Sequence, residues 1–361
     1  LQRAEKICLV YNASPSAGGA GEMARFMTQL LVESPLVVTH HSMDFNLQSR
    51  QLFPQPIAKP AAWVEGMRRF SPSAINEYMR CQLLFFYNRV AKIKAPQKQA
   101  VIIEPNVLGS VFHKTAELFY LDFVEHGNPV ITPARLAPFL EPAADASLVF
   151  YVRRAMAEEQ VGENVLVEQI VKSFFKQLLR NDSKLETFKI KGLETPRALT
   201  FNVLVNGAVR QVELCGIIDR MDIVSDPTIN DGAETLRIVD YKTNGSMEQA
   251  LSMDALFTPG EKHPHYVLQT FLYALMVAPD VNSMPLMPTL FFVNKYGDKN
   301  FLPYIKYANE PLTDFAPFAQ DFKFRLEKLL SEMLDEATPF KPTSVLQRCE
   351  NCNYRLLCYG K

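Results

Sequence analysis

Between Gly216 and Lys242 the chain reads G-I-I-D-R-M-D-I-V, a polar loop, and then R-I-V-D-Y-K-T. Two short apolar runs each end in a carboxylate, and the second adds a lysine two residues on. Side chains on a strand alternate faces, so Asp240 and Lys242 share one face while Tyr241 points the other way. If the strand bearing Asp219 pairs beside it, two carboxylates and an ammonium converge on one spot. Buried carboxylates without compensating charge are costly, and oxygen ligands from two aspartates suit Mg²⁺ or Mn²⁺. A lysine beside such a cation can orient an attacking water or stabilise charge building on a phosphate. That is equipment for hydrolysing a phosphodiester. Taken alone, D-R-M-D and D-Y-K also fit a solvated hairpin.

Three further stretches carry chemistry. The run L-G-S-V-F-H-K-T-A-E-L-F puts His113 and Glu117 one helical turn apart on one face, with Gly109 allowing close packing. A lone histidine on an apolar helix also serves as a satisfied core residue. In H-Y-V-L-Q-T-F-L-Y-A-L-M, Gln269 and Tyr273 stand at i and i+4, either a functional pair or the wet edge of the helix. The C-terminal R-C-E-N-C-N-Y-R-L-L-C spaces Cys349, Cys352 and Cys358 so that three thiolates need a fourth ligand to close a site. Spacing alone does not separate zinc from iron–sulfur.

The elements that must position these residues follow from local patterns. Asn206-Gly207 between two alternating runs is a strong hairpin signal, and the second strand of that hairpin delivers Asp219. Ser71 and Pro72 open a helix whose stripe is Ile75, Tyr78 and Met79. Phe85, Phe86 and Tyr87 read as core packing, and Arg89, Lys92, Lys94 and Lys98 fit either a nucleic-acid backbone or a solvated face. Residues 129–196 read as helical, including a long helix near Val165–Leu179, and show no chemistry. Leu290–Val293 reads as a strand and Thr313–Leu334 as a long amphipathic helix. Residues 1–45 read as strand, glycine loop (Gly18, Gly19, Gly21) and helix (Met23–Val32), without the lysine and Ser/Thr of a phosphate-binding loop. A Pro-containing linker follows at residues 53–67.

At 361 residues the chain holds one large domain or two. Its 38 basic and 39 acidic residues leave a net charge of −1, so any nucleic-acid surface must be a local groove. No apolar run approaches membrane-spanning length, no signal-peptide pattern opens the chain, and six cysteines do not form a secreted disulfide framework. The expectation is a cytoplasmic protein with no membrane partner. The first residue is Leu1 rather than Met, which reads as a piece of a longer protein. Cys8 and Cys215 read as ordinary buried thiols.

The order G-x-x-x-H, D, D-Y-K, Q-x-x-x-Y and a terminal cysteine cluster resembles the PD-(D/E)xK nuclease superfamily, specifically its RecB-like and AddB-like branch, over residues 68–361. The resemblance implies an α/β fold with a central mixed sheet, flanking helices and helical insertions around a restriction-endonuclease-like core. It implies a site in which Asp219 and Asp240 hold the metal with the Tyr241 carbonyl, His113 completes its shell and Glu117 is a weaker candidate. Lys242 would position the water, and Gln269 and Tyr273 would hold the scissile strand. Cys81, in M-R-C-Q, matches the upstream cysteine of AddB-like nucleases. It would join Cys349, Cys352 and Cys358 on a [4Fe–4S] cluster, with zinc the lesser occupant. Asn353 departs from the proline usual there. Residues 1–52 resemble the tail of a helicase-like domain, with Ala13, Ser14 and Pro15 where an arginine is expected.

The function so implied is a Mg²⁺- or Mn²⁺-dependent DNA exonuclease module of a helicase–nuclease in double-strand-break repair and recombination, partnered by an AddA-like helicase subunit. Two alternatives stay open: a non-cleaving DNA-binding scaffold of a recombination complex, and a stand-alone iron–sulfur single-strand exonuclease like the CRISPR-associated ones.

Overall fold

The computed structural model describes residues 7–10, 23–35, 37–41, 53–94, 105–162, 164–246, 248–281, 283–295 and 305–359. Its backbone divides into two units, Leu1–Gln51 and Leu52–Lys361. In the first, helix α1 (Arg25–Glu33) takes up the apolar-periodic run and buries none of its residues. Residues 7–10 form no strand, and the glycine loop lies outside the described residues. Cys8 is exposed rather than a buried thiol, and Cys215 is only partly covered.

The second unit opens with α2 (Ala61–Gly66), β1 (Arg69–Phe70), α3 (Pro72–Arg80) and α4 (Gln82–Phe85). Ser71 caps α3 by accepting from the Ala74 amide at 3.2 Å, with Pro72 at the first helical position. Ser supplies an acceptor that the first turn lacks, and Pro has no amide to leave unpaired. Residues 53–67 pack onto this unit: Ile57 bridges to Phe340, and the Trp63 ring meets Phe85 and Phe340 edge-on. A helical layer follows, α5 (Pro105–Glu125), α6 (Pro133–Leu140), α7 (Asp145–Glu158) and α8 (Val165–Asp182), interrupted by the short β2 (Val130–Ile131).

The long hairpin is β3 (Thr187–Val205) and β4 (Ala208–Ser225). Asn206 and Gly207 both take positive φ, +49° and +81°, which a two-residue turn between twisted strands requires. Next come β5 (Thr235–Lys242), β6 (Gln249–Ala250), α9 (Met253–Phe257), α10 (His265–Val277) and β7 (Leu286–Phe292). The chain ends with β8 (Lys306–Tyr307), β9 (Glu310–Pro311), α11 (Ala319–Leu334), α12 (Gln347–Glu350) and α13 (Arg355–Tyr359). Strand β7 starts four residues before the expected Leu290. Pro288 disguises its beginning, yet β7 lies at the end of the sheet, where proline costs no ladder bond.

The main sheet runs β2-β3-β4-β5-β7, with β1 parallel to β4 and β5 parallel to β7. The other pairings are antiparallel, so the sheet is mixed. One core lies between the sheet and α3, α10 and α11, and the second between the sheet and α5–α8. The result is a mixed α/β fold, a curled central sheet flanked by helices, consistent with the restriction-endonuclease-like core that the sequence implies. Among the described residues no helix is long and apolar enough to cross a membrane.

Candidate active site

Strands β4 and β5 pair antiparallel from Val224↔Thr235 to Arg220↔Val239, and the ladder stops there. One residue further on, the Asp219 carboxylate substitutes for the next ladder acceptor and takes the Tyr241 amide at 2.7 Å. This bond pins Asp219 to the end of β5. Asp240 and Lys242 lie together, Nζ to Oδ2 2.6 Å, while the Tyr241 ring packs into the opposite core 5.5 Å from Phe112. From α10, Gln269 Nε2 donates to Asp240 Oδ1 at 3.3 Å and to the Tyr273 hydroxyl at 3.0 Å. Tyr273 reaches this place because Gly216 has no side chain: a Cβ there would stand 2.9 Å from the Tyr273 ring. From α5, on the other side of the sheet, His113 Nδ1 comes within 3.4 Å of Asp219 Oδ1.

His113 also faces Glu194, Nδ1 to Oε1 3.7 Å, a carboxylate that the sequence reading passed over in a region assigned no chemistry. The register of β3 against β4 shifts between Ile190 and Gly192, and Leu193↔Arg220 and Thr195↔Ile218 set Glu194 opposite Asp219. Its φ of +41° is in the left-handed region, unusual for glutamate. The readable signal was Gly192 inside a strand pattern, which marks a bulge. Glu117 lines the same cleft, about 610 Å³ in volume with His113, Lys114, Glu159 and Glu194, but its carboxylate is held by Lys114 at 2.9 Å. At Gly109 a methyl group would meet Thr243 Oγ1 at an ordinary 3.6 Å, so the close approach expected there is not needed; it occurs at Gly216 instead.

The electrostatics are those of an under-compensated acidic site. Burial, with the Asp219 charge beside it, pushes Asp240 up to about 6 against the opposing pull of Lys242. Burial works against charge on Asp219 too, but His113, Lys242 and the Tyr241 amide together hold it below the usual carboxylate range. His113 is disfavoured as a cation by burial, yet Asp219 and Glu194 raise it to about 10. Lys242 is likewise desolvated, and Asp240 and Asp219 keep its ammonium charged.

Far along the chain, Cys81 at the end of α3 and Cys349, Cys352 and Cys358 around α12 and α13 line one small cavity together with Tyr87 and Tyr354. The two chain segments are also tied directly: Arg348 donates to the Arg80 carbonyl at 3.2 Å, and the buried Tyr354 hydroxyl to Asn88 and the Ile93 carbonyl. Phe85 and Tyr87 are core residues, and Arg89 is engaged by Glu77 at 2.8 Å. Lys98 lies outside the described residues.

A model of the PD-(D/E)XK nuclease superfamily matches residues 69–359, the greater part of the chain and all of the site just described. The chain belongs to the PD-(D/E)XK nuclease superfamily. Among solved structures it is similar to "Crystal structure of SSO0001", with 14% identity, a TM-score of 0.26, and coverage of 71% of this chain and 97% of that one. No curated protein matches the chain.

For a PD-(D/E)XK nuclease the donor set fits a hard divalent cation. Among the described residues, His113, Glu194 and Asp219 are a set of three whose ligand atoms all lie within 4.8 Å of one another. One imidazole with carboxylate oxygens suits Mn²⁺ or Mg²⁺. Asp240 and Lys242 border this set, Gln269 and Tyr273 buttress Asp240, and Glu117 stands outside it.

Proposed function

We propose that this chain is the cation-dependent DNA exonuclease module of a RecB-like or AddB-like helicase–nuclease acting in double-strand-break repair and recombination in the cytoplasm, with an AddA-like helicase subunit as partner. The observation that carries the reading is the Asp240–Lys242 pair standing beside His113 and Asp219 at the end of β5. His113, Asp219, Asp240 and the Tyr241 carbonyl would hold Mg²⁺ or Mn²⁺, which supplies Lewis-acid charge to a phosphate oxygen. Lys242 keeps its proton, so it acts as a fixed positive donor toward the attacking water and the phosphate rather than as a base. Gln269 fixes one Asp240 oxygen and the Tyr273 hydroxyl, giving a polar edge against which the scissile strand can rest. The test is end-labelled DNA incubated with the purified chain, with Mg²⁺, with Ca²⁺ and with chelator. Stepwise loss of terminal nucleotides in Mg²⁺ alone is expected; equal cleavage in chelator would overturn the reading.

The four cysteines fit a [4Fe–4S] cluster as a closure of the nuclease unit. Four thiolates at one cavity suit either a [4Fe–4S] cluster or a zinc, and the resemblance favours iron–sulfur. Cys81 and Cys349 stand 268 residues apart. Treated as a cross-link, a loop that long restricts the unfolded chain by at most roughly 5–6 kcal/mol. Cys81→Ser or Cys352→Ser should lower the melting temperature and bleach visible absorbance, while cleavage per folded molecule persists. Zinc without iron or sulfide in anaerobically purified protein would assign the site to zinc.

A further inference from the structure

The carboxylates of the site are not equally committed. Asp240 has one oxygen 2.6 Å from the Lys242 ammonium and the other on the Gln269 amide. Asp219 gives Oδ2 to the Tyr241 amide and turns Oδ1 toward His113. Glu194 approaches the same Nδ1 of His113, Oε1 3.7 Å away, and its side chain remains about 29% exposed to the cleft. One imidazole nitrogen thus faces two carboxylate oxygens from adjacent strands, and neither oxygen has a lysine or arginine on it among the described residues. Three ligand atoms within 4.8 Å of one another are close enough to share one ion.

We propose that Glu194 is a ligand of the divalent cation in this nuclease, completing with His113 and Asp219 a three-residue seat onto which Asp240 closes from the Lys242 side. The proposal rests on the cation-dependent reading above. It gives the bulge in β3 a purpose, since a regular strand would not turn residue 194 across Asp219. It also sets the class of ion: one nitrogen and several carboxylate oxygens favour Mn²⁺ over Mg²⁺ and disfavour a thiophilic metal.

The test is Mn²⁺ titration of the full chain followed by electron paramagnetic resonance of the free ion, alongside DNA binding and melting curves, on wild type, Glu194→Gln, Glu194→Gly and Glu159→Gln. Gln keeps an acceptor for His113 but loses the anionic oxygen, and Gly suits the left-handed backbone if Gln destabilises the fold. Glu159, in the same cleft, controls for charge acting through space. Both Glu194 variants should weaken Mn²⁺ at least tenfold and leave DNA binding in chelator unchanged, whereas Glu159→Gln stays within twofold. Wild-type affinity in Glu194→Gln, or equal losses in Glu194→Gln and Glu159→Gln, would overturn the assignment and leave the nuclease reading standing. A wild type that takes up no Mn²⁺ yet cleaves in chelator would overturn the cation-dependent reading itself.

Discussion

Strands β4 and β5 carry charge on both faces. On the α8 side, Arg220 binds Asp182 through two hydrogen bonds of 2.7 and 3.0 Å, and Arg237 binds Asp222 through two of 2.8 Å. Arg220 Nε lies 2.9 Å from Asp222, an ion pair too poorly aligned to count as a hydrogen bond. The Tyr120 hydroxyl donates to Asp182, and the rings of Tyr120, Phe188 and Tyr241 surround the Arg220 guanidinium. All four charged side chains are buried, two of each sign. On the other face lie Asp240 and Lys242, and at the strand end beside them Asp219 and Glu194 meet His113 from α5 and open to a cleft, three carboxylates to two cations. Charges that only hold strands together are matched one for one inside the molecule. Those at the cleft are left one cation short, and that shortfall is where chemistry can enter.

The sharpest way to break this comparison is to unbalance the closed face. Asp222→Ala strips both arginines of a partner, and an uncompensated buried charge costs about 3–5 kcal/mol. Asp222→Leu with Arg237→Met removes a neutral pair and leaves Arg220 on Asp182. The double variant should therefore lose much less than the sum of its singles in urea denaturation. Strict additivity would mean that the network is not closed.

The open face should respond in activity instead. Asp240→Ala or Lys242→Ala is expected to reduce cleavage by about 10²–10³-fold, ~2.7–4 kcal/mol of barrier, with melting and DNA binding near wild type. Undiminished turnover in either variant would remove Asp240 and Lys242 from the mechanism. A melting loss as large as that of Asp222→Ala would show that both faces serve stability alike.

A smaller effect separates strain from ligand. Glutamate at φ +41° costs on the order of 1 kcal/mol that glycine avoids. Glu194→Gly should thus be more stable than Glu194→Ala by about that amount, roughly 2 °C in melting temperature, although both lose the carboxylate. Equal melting points would mean that the bulge carries no strain at residue 194.

What the sequence revealed follows from range. Asp219, Asp240 and Lys242 were legible because strand alternation is local and Asn206-Gly207 fixes the hairpin. Gln269 and Tyr273 were legible because four residues make one helical turn. Glu194 was not, because its place depends on a bulge and on the register across β3 and β4. Arg220 and Asp222 were misleading for a related reason: D-R-M-D looks like a wet strand edge until Asp182, some forty residues earlier, is known to cover it. Cys81 was joined to the terminal cysteines by resemblance alone, since no local pattern spans that separation.

Lys59 tests the comparison where it is weakest, at a buried charge with no carboxylate among the described residues paired to it directly. Lys59 is 6% exposed, and its ammonium donates to the carbonyls of Glu332 and Asp335, at 2.5 and 3.0 Å, at the end of α11. Carbonyl dipoles at a helix C-terminus favour a cation but carry only part of a charge. Burial therefore dominates and brings Lys59 down to about 8, though Glu332 and Asp335 pull the other way. The sign follows from that depression. The folded state binds the proton less tightly than the unfolded chain, so the charge is a cost below pH 8. That cost is relieved as pH rises from about 8 towards the unfolded value of 10.5. Over that window wild type should gain stability relative to Lys59→Met, on the order of 1 kcal/mol. Chemical denaturation of both proteins at pH 7, 8.5 and 10 measures the difference directly. A gap between them that does not change with pH would mean that the α11 carbonyls compensate Lys59 in full, as the carboxylates on the closed face do for Arg220 and Arg237.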